Sequence, residues 1–313
     1  MKQTFTFSLL SVSILILLSL SPWPARPAAQ SGRNTGSGEK SELLNVIVRA
    51  QDGEAARALN LNKDRLILFD GGIEQQIEYM RADSTGARLI LLVDNTQTLR
   101  AEPTQLQKAA RALINEMLPG DEMMIIAFDE QAEILQDFTE NKNTLQAAVA
   151  KFRRKGLPKL YDALAATVED AFRQQLGVNK RSIVLLSDGY DSSSGIKYEN
   201  ILATLLTENI VVYAFQAPDR TFGAIRPRDS GPKPVDAITG LAESTGGLIF
   251  KIDKENEIAA HAKTITNELH DGWYTLAYTP KGINPINARR LLITCPDDKL
   301  SLRTKKMHPA QIR

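Results

Sequence analysis

The sequence predicts an α/β fold: a doubly wound, mainly parallel sheet flanked by helices. Three apolar runs, Leu89–Val93, Ser182–Ser187 and Ile210–Phe215, are typical of strands that are covered on both faces. Segments with helical periodicity separate these runs, and repeated strand-helix units imply parallel pairing. Shorter β patterns precede and follow this region. They predict a small β unit formed from the N- and C-terminal flanks.

Composition excludes several classes of function. The chain of 313 residues has 38 Lys and Arg against 37 Asp and Glu, so no basic field attracts nucleic acid. The single cysteine, Cys295, has no partner for an internal disulfide. The three histidines are far apart in the sequence, without the spacing of a zinc site or a catalytic triad.

Residues 1–30 have the layout of a secretory signal. Lys2 precedes an apolar run, Phe7–Leu20, that is followed by prolines and small residues. The run has about 14 residues, whereas a membrane span needs about 20. We therefore expect an exported protein, periplasmic or secreted, without a membrane span in the mature chain; an uncleaved anchor is the alternative. Residues 31–42 are rich in Ser, Gly and charge and predict a flexible linker.

Two flanking segments, residues 43–84 and 271–313, carry strand patterns. The predicted strands are Leu44–Ala50, Arg65–Phe69, Ile73–Met80, Trp273–Thr279, Arg290–Thr294 and Ser301–Lys305. Asp70-Gly71-Gly72 has the chemistry of a hairpin turn. Because each segment offers too few strands to bury a face alone, we expect the two to pair.

Residues 85–270 carry the alternating pattern. The predicted helices are Pro103–Leu118, a helix near Leu145–Phe152, Leu160–Leu176, Tyr198–Glu208, Val235–Ser244 and Glu257–Leu269. Besides the three apolar runs, strands are predicted at Met123–Phe128, around Ile134 and at Leu248–Ile252. The intervening segment 217–234 is rich in Pro, Gly, Arg and Asp. It is either a recognition loop or a tolerated insertion.

Polar side chains follow two of the buried strands directly. Asp94, Thr96 and Thr98 alternate after the first run, and Asp188 follows Ser187 at the end of another. Ligands of open α/β sheets bind at the carboxyl ends of the strands, and carboxylate and hydroxyl oxygens suit Mg²⁺, Mn²⁺ or Ca²⁺. The alternative is an ordinary solvated turn, because Asp and Thr are common there.

Three motifs occur in order along this region: DNTQT at Asp94–Thr98, KGLPKLYDAL at Lys155–Leu164 and SDG at Ser187–Gly189. Together they resemble the von Willebrand factor type A domain, and the resemblance covers roughly Arg88–Leu269. FDGGIEQQI before this region and WYTLAYTP after it are similar to the ends of secreted bacterial proteins described as von Willebrand factor A-related, a group prominent in acidobacteria.

The resemblance implies a non-enzymatic adhesion-type module with a metal-ion-dependent adhesion site. Asp94, Thr96, Thr98 and Asp188 are the implied metal ligands, and the ion is Mg²⁺, or else Mn²⁺ or Ca²⁺. The implied partner is a protein or peptide whose acidic side chain completes the coordination. Asn95, Lys159, Gly189 and Asp191 are predicted to border the bound ligand.

One position departs from the family pattern. Pro158 stands where the family has a threonine ligand, and proline offers no side-chain oxygen. The site is then degenerate, or water replaces the hydroxyl. Lys159 either places its ammonium between Asp94 and Asp188 as a counter-charge or points to solvent.

Two other functions remain open at this point. DNTQTL also resembles the DKTGTL motif of haloacid dehalogenase-like phosphohydrolases, in which the first Asp, here Asp94, is a nucleophile. The export signal and the LYDAL stretch favour the binding module instead. The loss of a ligand at Pro158 also suits a metal-free envelope scaffold.

Overall fold

The computed structural model describes residues 41–50, 61–172, 180–224, 231–284 and 286–310. These residues all belong to one unit, which runs from Glu39 to Arg313. The predicted signal and most of the predicted linker lie outside the described residues. No helix of the described part has the length and apolar character needed to cross a membrane. The division into segments 43–84, 85–270 and 271–313 stays a prediction.

A six-stranded sheet forms the centre of the fold, in the order β10-β9-β8-β5-β6-β7. Its strands are β5 (Arg88–Asp94), β6 (Glu122–Phe128), β7 (Ala132–Thr139), β8 (Arg181–Ser187), β9 (Val211–Gln216) and β10 (Ile249–Lys251). All neighbours pair in parallel except β7, which is antiparallel to β6 at one edge. The predicted doubly wound, mainly parallel sheet is confirmed.

Helices cover both faces of this sheet. They are α1 (Pro103–Glu116), α2 (Lys142–Val149), α3 (Leu160–Thr167), α4 (Tyr198–Thr207), α5 (Pro234–Thr245) and α6 (Ile258–His270). Helix α1 begins with Pro103 after a capping box between Glu102 and Gln105, which satisfies free amides at its first turn. The apolar residues of β5 alternate between two cores, one under α1 and α6 and one under α3 and α4. Burial on both faces explains the unbroken apolar runs.

The prediction of one continuous α-helix over Leu160–Leu176 is wrong. Helix α3 ends at Thr167, and a π-helical segment, Val168–Phe172, continues the chain. The predicted remainder of this helix lies outside the described residues. Thr167 donates a hydrogen bond from its hydroxyl to the Ala163 carbonyl at 2.8 Å, a contact often found where helices bend.

The two flanks pair with each other, as the sequence predicts. One four-stranded sheet has the order β13-β1-β11-β4 and another has the order β14-β12-β2-β3. Their strands are β1 (Glu42–Ala50), β2 (Ile67–Asp70), β3 (Ile73–Gln75), β4 (Ile77–Ala82), β11 (Trp273–Tyr278), β12 (Arg289–Thr294), β13 (Leu300–Arg303) and β14 (Met307–His308). Each sheet combines N-terminal and C-terminal strands.

A buried polar network joins the two flanking sheets. The Tyr278 hydroxyl donates to Asp70 at 2.7 Å, and Arg289 Nη1 donates to the same carboxylate oxygen at 2.8 Å. His308 Nε2 lies 2.9 Å from the Tyr278 hydroxyl. Four different strands therefore meet at one cluster of buried groups.

The predicted single strand Ile73–Met80 is wrong, because it divides into β3 and β4, which belong to different sheets. The turn before β3 has positive φ at both Gly71 and Gly72, the backbone that a type I′ hairpin needs. The β unit is also continuous with the main domain. Ile47 of β1 and Trp273 of β11 are fully buried in the core under α1 and α6.

Candidate functional site

The candidate site lies at the carboxyl edge of the central sheet, where β5 and β8 end side by side. Asp94 is the last residue of β5, and Asp188 directly follows β8. Parallel pairing places Val93 opposite Leu186, so the two carboxylates reach the same point of the edge. Both are fully buried. Two buried negative charges at neighbouring strand ends require a positive partner.

The positive partner is Arg220, which the sequence did not identify. It lies in the segment that follows β9, and its side chain is 5% exposed. Its Nε donates to Asp188 Oδ2 at 2.7 Å, and its Nη2 donates to Asp188 Oδ1 at 2.8 Å. Nη2 also donates to Asp94 Oδ2. The planar guanidinium thus forms a two-pronged pair with one carboxylate and bridges to the other.

The two threonines predicted as metal ligands also contact this guanidinium. Arg220 Nη1 donates to Thr96 Oγ1 at 2.8 Å and to Thr98 Oγ1 at 2.7 Å. All four residues predicted as metal ligands, Asp94, Thr96, Thr98 and Asp188, therefore lie around one point, and their role as metal ligands stays a prediction. They converge on an arginine side chain.

Burial and charge set the ionisation of this cluster. Burial raises the pKa of Asp94, and the neighbouring Arg220 charge and the Thr96 hydrogen bond oppose this increase. Burial by itself would lower the pKa of Arg220, but its hydrogen bond to Asp188 and the charges of both carboxylates raise the pKa above its ordinary value. The guanidinium is therefore fixed in its charged form.

A divalent ion does not fit among these side chains in this arrangement. Mg²⁺ requires an octahedral shell of oxygens at about 2.0–2.1 Å, and the guanidinium lies between the oxygens that would supply it. Among the described residues, no group of three or more His, Cys, Asp and Glu side chains could hold a metal ion. In this arrangement the Arg220 guanidinium lies where the sequence led us to expect a divalent ion.

Pro158 and Lys159 lie beside the site without entering it. The Pro158 carbonyl accepts hydrogen bonds from the Ser192 amide at 2.9 Å and the Ser192 hydroxyl at 2.7 Å, so it binds the neighbouring loop. Lys159 precedes α3, and its amide donates to the Asp129 carbonyl. Within the described chain its ammonium forms no ion pair with Asp94 or Asp188. Of the two positions that the sequence left open for Lys159, the one between the carboxylates is therefore wrong, and Arg220 supplies that charge.

The other residues predicted to border a ligand shape the loops. The Asn95 side chain accepts a hydrogen bond from the Arg153 amide at 2.7 Å. Asp191 accepts from the Ser194 hydroxyl at 2.5 Å and from the Tyr161 amide at 3.3 Å. These two side chains are engaged within the protein, so their role as direct ligand contacts stays a prediction.

Gly189 allows the chain to pass close to α5. Its φ is +84°, and a Cβ atom there would lie 2.2 Å from the Pro234 carbonyl oxygen and 2.8 Å from Ile238 Cβ. Glycine is thus required twice, once for its backbone conformation and once for the close approach. Its predicted contact with a ligand is untested.

The turn that carries Arg220 also exposes an aromatic ring. The Asp219 carboxylate accepts from the Thr221 amide at 2.8 Å, the Thr221 hydroxyl at 2.7 Å and the Gly223 amide at 3.0 Å. Between them, Phe222 is 78% exposed and has a φ of +54°. The Arg100 guanidinium lies 4.0 Å from the centre of its ring and donates to the Asp219 carbonyl at 3.0 Å. The turn is therefore held at both ends.

Arg220 was missed for an identifiable reason. The segment 217–234 shows little periodicity, so no pattern predicts where its side chains point. A usable signal existed, because the segment follows a strand that ends at the same sheet edge and carries an arginine within a few residues of that end. The sequence instead offered Lys159 as the counter-charge, because this residue follows Pro158 at the position where the family has its threonine ligand.

The fold and the site together define a class of protein. It is an α/β domain with a polar site at the carboxyl edge of a mainly parallel sheet. The ends of β5 and β8, the first and fourth strands of the domain along the chain, form that site. Within that class, residues 89–190 match the family model for the von Willebrand factor type A domain. This part of the chain is therefore similar to the von Willebrand factor type A domain. No curated protein sequence matches the chain.

Several solved structures are similar to this chain. A von Willebrand factor type A protein from Catenulispora acidiphila is 12% identical with a TM-score of 0.49, covering 87% of this chain and 75% of that one. An aerotolerance-related membrane protein from Bacteroides fragilis is 16% identical with a TM-score of 0.44, covering 59% and 98%. Proximal thread matrix protein 1 from the mussel byssus, with a zinc-occupied MIDAS motif, is 16% identical with a TM-score of 0.47, covering 64% and 49%.

Proposed function

We propose that this protein is an exported, non-enzymatic binding module that docks a protein or peptide partner at the carboxyl edge of its central sheet. The docking surface, which we term the Phe222 face, consists of Phe222, Arg100 and Tyr190, whose ring lies 5.3 Å from the guanidinium carbon of the buried Arg220. The observation that carries the proposal is the exposed Phe222 ring, held on a hydrogen-bonded turn directly beside the Asp94–Asp188 site.

The conformation of Phe222 supports a binding role. A bulky residue with positive φ is strained, and such strain is typically retained at functional positions. Folding gains little from a ring that is 78% exposed. Exposed aromatic anchors on rigid turns lose little entropy on binding, and aromatic residues dominate the energies of many interfaces.

The charges of the Phe222 face favour an acidic partner. Arg100 is exposed and stacks on the Phe222 ring, where it can form an ion pair with a carboxylate of the partner. The Arg220 guanidinium already contacts both site carboxylates. A partner carboxylate would then pair with Arg100, in place of the ion coordination expected from the family resemblance.

The phosphohydrolase alternative is disfavoured by the surroundings of Asp94. A nucleophilic carboxylate needs a free oxygen directed at the substrate. Asp94 Oδ1 accepts from the Thr96 amide at 3.1 Å and its hydroxyl at 2.6 Å, while Oδ2 accepts from Ser187 at 3.0 Å and from Arg220. Because Asp94 is fully buried and both of its oxygens accept hydrogen bonds within the protein, we assign it a structural role and not that of a nucleophile.

A metal-free envelope scaffold is the second candidate. The observation that favours it is the Arg220 ion-pair cluster, which completes the site without an external group. A scaffold needs no exposed anchor, so the role of Phe222 separates the two candidates.

Site-directed photocrosslinking in the native host tests the proposal. A benzophenone amino acid replaces Phe222, and the matched control carries it at Ile134, which is also exposed but lies on the edge strand β7. We expect a discrete crosslinked protein from position 222 that is absent from position 134 and lost when Arg100→Glu is added. Identical crosslinks from both positions, or none from position 222, would contradict the Phe222 face as the docking surface.

A further inference from the structure

The guanidinium of Arg220 uses its whole bonding capacity within the site. Arginine presents five N–H donors. Nε donates to Asp188 at 2.7 Å; Nη2 donates to Asp188 at 2.8 Å and to Asp94; Nη1 donates to Thr96 at 2.8 Å and to Thr98 at 2.7 Å. Each donor thus has an acceptor of its own. The acceptors are the four residues predicted to hold a divalent ion.

The two carboxylates are saturated as well. A carboxylate offers about four acceptor positions. Those of Asp94 are filled by two contacts from Thr96, one from Ser187 and one from Arg220. Those of Asp188 are filled by the Tyr190 amide at 3.0 Å and by three contacts from Arg220, including its backbone amide at 3.0 Å. An incoming ion would have to break several of these bonds.

The backbone around Arg220 holds the side chain in this position. Its amide is bonded to Asp188, and the next residues form the turn capped by Asp219. The Tyr190 ring lies 5.3 Å from the guanidinium carbon, so the cation is also near an aromatic face. The side chain is therefore anchored from its backbone as well as its tip, which disfavours its release to solvent.

We propose that Arg220 is the resident cation of this site, so that the protein forms its docking edge without a divalent ion. The oxygens of Asp94, Asp188, Thr96 and Thr98 become an ion site only when the guanidinium is removed. This inference concerns the edge used in the proposed function. It does not depend on the identity of the partner.

A divalent ion in place of Arg220 would have fewer oxygen ligands than it needs. A divalent ion brings a larger charge, but it needs about six oxygen ligands in its shell. Pro158 supplies no hydroxyl, and its carbonyl is taken by Ser192. Proline at position 158 is consistent with this arrangement, because a site that is completed by the Arg220 guanidinium does not need a threonine hydroxyl there.

Isothermal titration of the full-length protein with MgCl₂ and with MnCl₂ at fixed ionic strength tests the inference. We expect no binding to the wild type with a Kd below about 1 mM. Arg220→Ala should bind Mn²⁺ at least about tenfold more tightly than the wild type. Arg220→Ala combined with Asp94→Asn should lose that gain. The assay contains no partner, so its result is independent of the docking proposal.

Wild-type protein that binds either ion with a Kd below about 1 mM would overturn the inference, because the ion would then displace Arg220. A folded Arg220→Ala variant with no gain in Mn²⁺ affinity would also overturn it. If that variant folds only with Mn²⁺ present, the inference is supported. If it does not fold at all, Arg220→Lys replaces it: lysine has fewer donors, so this variant should bind Mn²⁺ more tightly than the wild type, and equal affinity would count against Arg220.

Discussion

Replacing Arg220 with methionine should destabilise the protein strongly. Methionine keeps much of the apolar stem but removes the charge and all five donors, and it leaves Asp94 and Asp188 buried without a counter-charge. Charge-assisted hydrogen bonds contribute about 1.5–3 kcal/mol each, so a simple sum would equal the whole stability of an ordinary domain. Proton uptake and water entry reduce the loss. Breaking a buried pair in this way typically costs about 3–5 kcal/mol, and we expect that range for Arg220→Met.

The deficit should depend on pH. Burial already raises the pKa of Asp94, and loss of the Arg220 charge raises it further. When the pKa of a carboxyl group is higher in the folded state than in the unfolded state, the free energy of unfolding falls as the pH rises from the unfolded-state pKa to the folded-state pKa. The free-energy difference between wild type and Arg220→Met should therefore grow as the pH rises above about 4, the ordinary value for aspartate.

Urea denaturation followed by circular dichroism measures this difference. The matched control is Arg153→Met, because Arg153 has a 60% exposed side chain paired with Glu133 at 3.2 Å. An exposed pair contributes at most about 1 kcal/mol, so the control should stay close to the wild type. An Arg220→Met variant within about 1 kcal/mol of the wild type would refute the buried ion-pair argument.

Three further predictions concern the surroundings. Gly189→Ala should cost about 3 kcal/mol or more in unfolding free energy and Gly223→Ala only about 1, because both have positive φ but only Gly189 approaches backbone closely; similar losses would contradict this. Burial lowers the pKa of Lys305 to about 8, so the folded state releases a proton before the unfolded state does. Stability should then rise between about pH 8 and 10, by up to about 1.4 kcal/mol per unit, relative to Lys305→Met; parallel curves would contradict this. Pro158→Thr alone should leave Mn²⁺ binding undetectable by calorimetry, whereas in an Arg220→Ala background it should tighten that binding; a gain without loss of Arg220 would show the guanidinium to be displaceable.

The central sheet could be predicted because its strands are buried on both faces. A continuous apolar run such as Leu89–Val93 follows directly from that burial, and a carboxylate at the end of the run marks the sheet edge. The convergence of Asp94 and Asp188 follows from parallel pairing of adjacent strands. These features depend on local patterns or on simple topology.

Arg220 and the loop contacts could not be derived in the same way. Arg220 is 126 residues from Asp94 along the chain, and its segment has no periodicity to fix a side-chain direction. The π-helical segment after Thr167 could not be predicted either. Its apolar residues are buried at a spacing that also fits a continuous α-helix, so the sequence pattern does not distinguish the two. Long-range polar contacts of this kind depend on the assembled fold, which a local pattern does not encode.

Crystals of the wild-type protein grown with MnCl₂ test the resident-cation account most directly. Anomalous scattering locates manganese independently of how the side chains are interpreted. The account predicts no anomalous peak between Asp94 and Asp188, and density for the Arg220 guanidinium within hydrogen-bonding distance of both. A manganese peak coordinated by Asp94, Thr96 and Thr98, with Arg220 turned away, would contradict it.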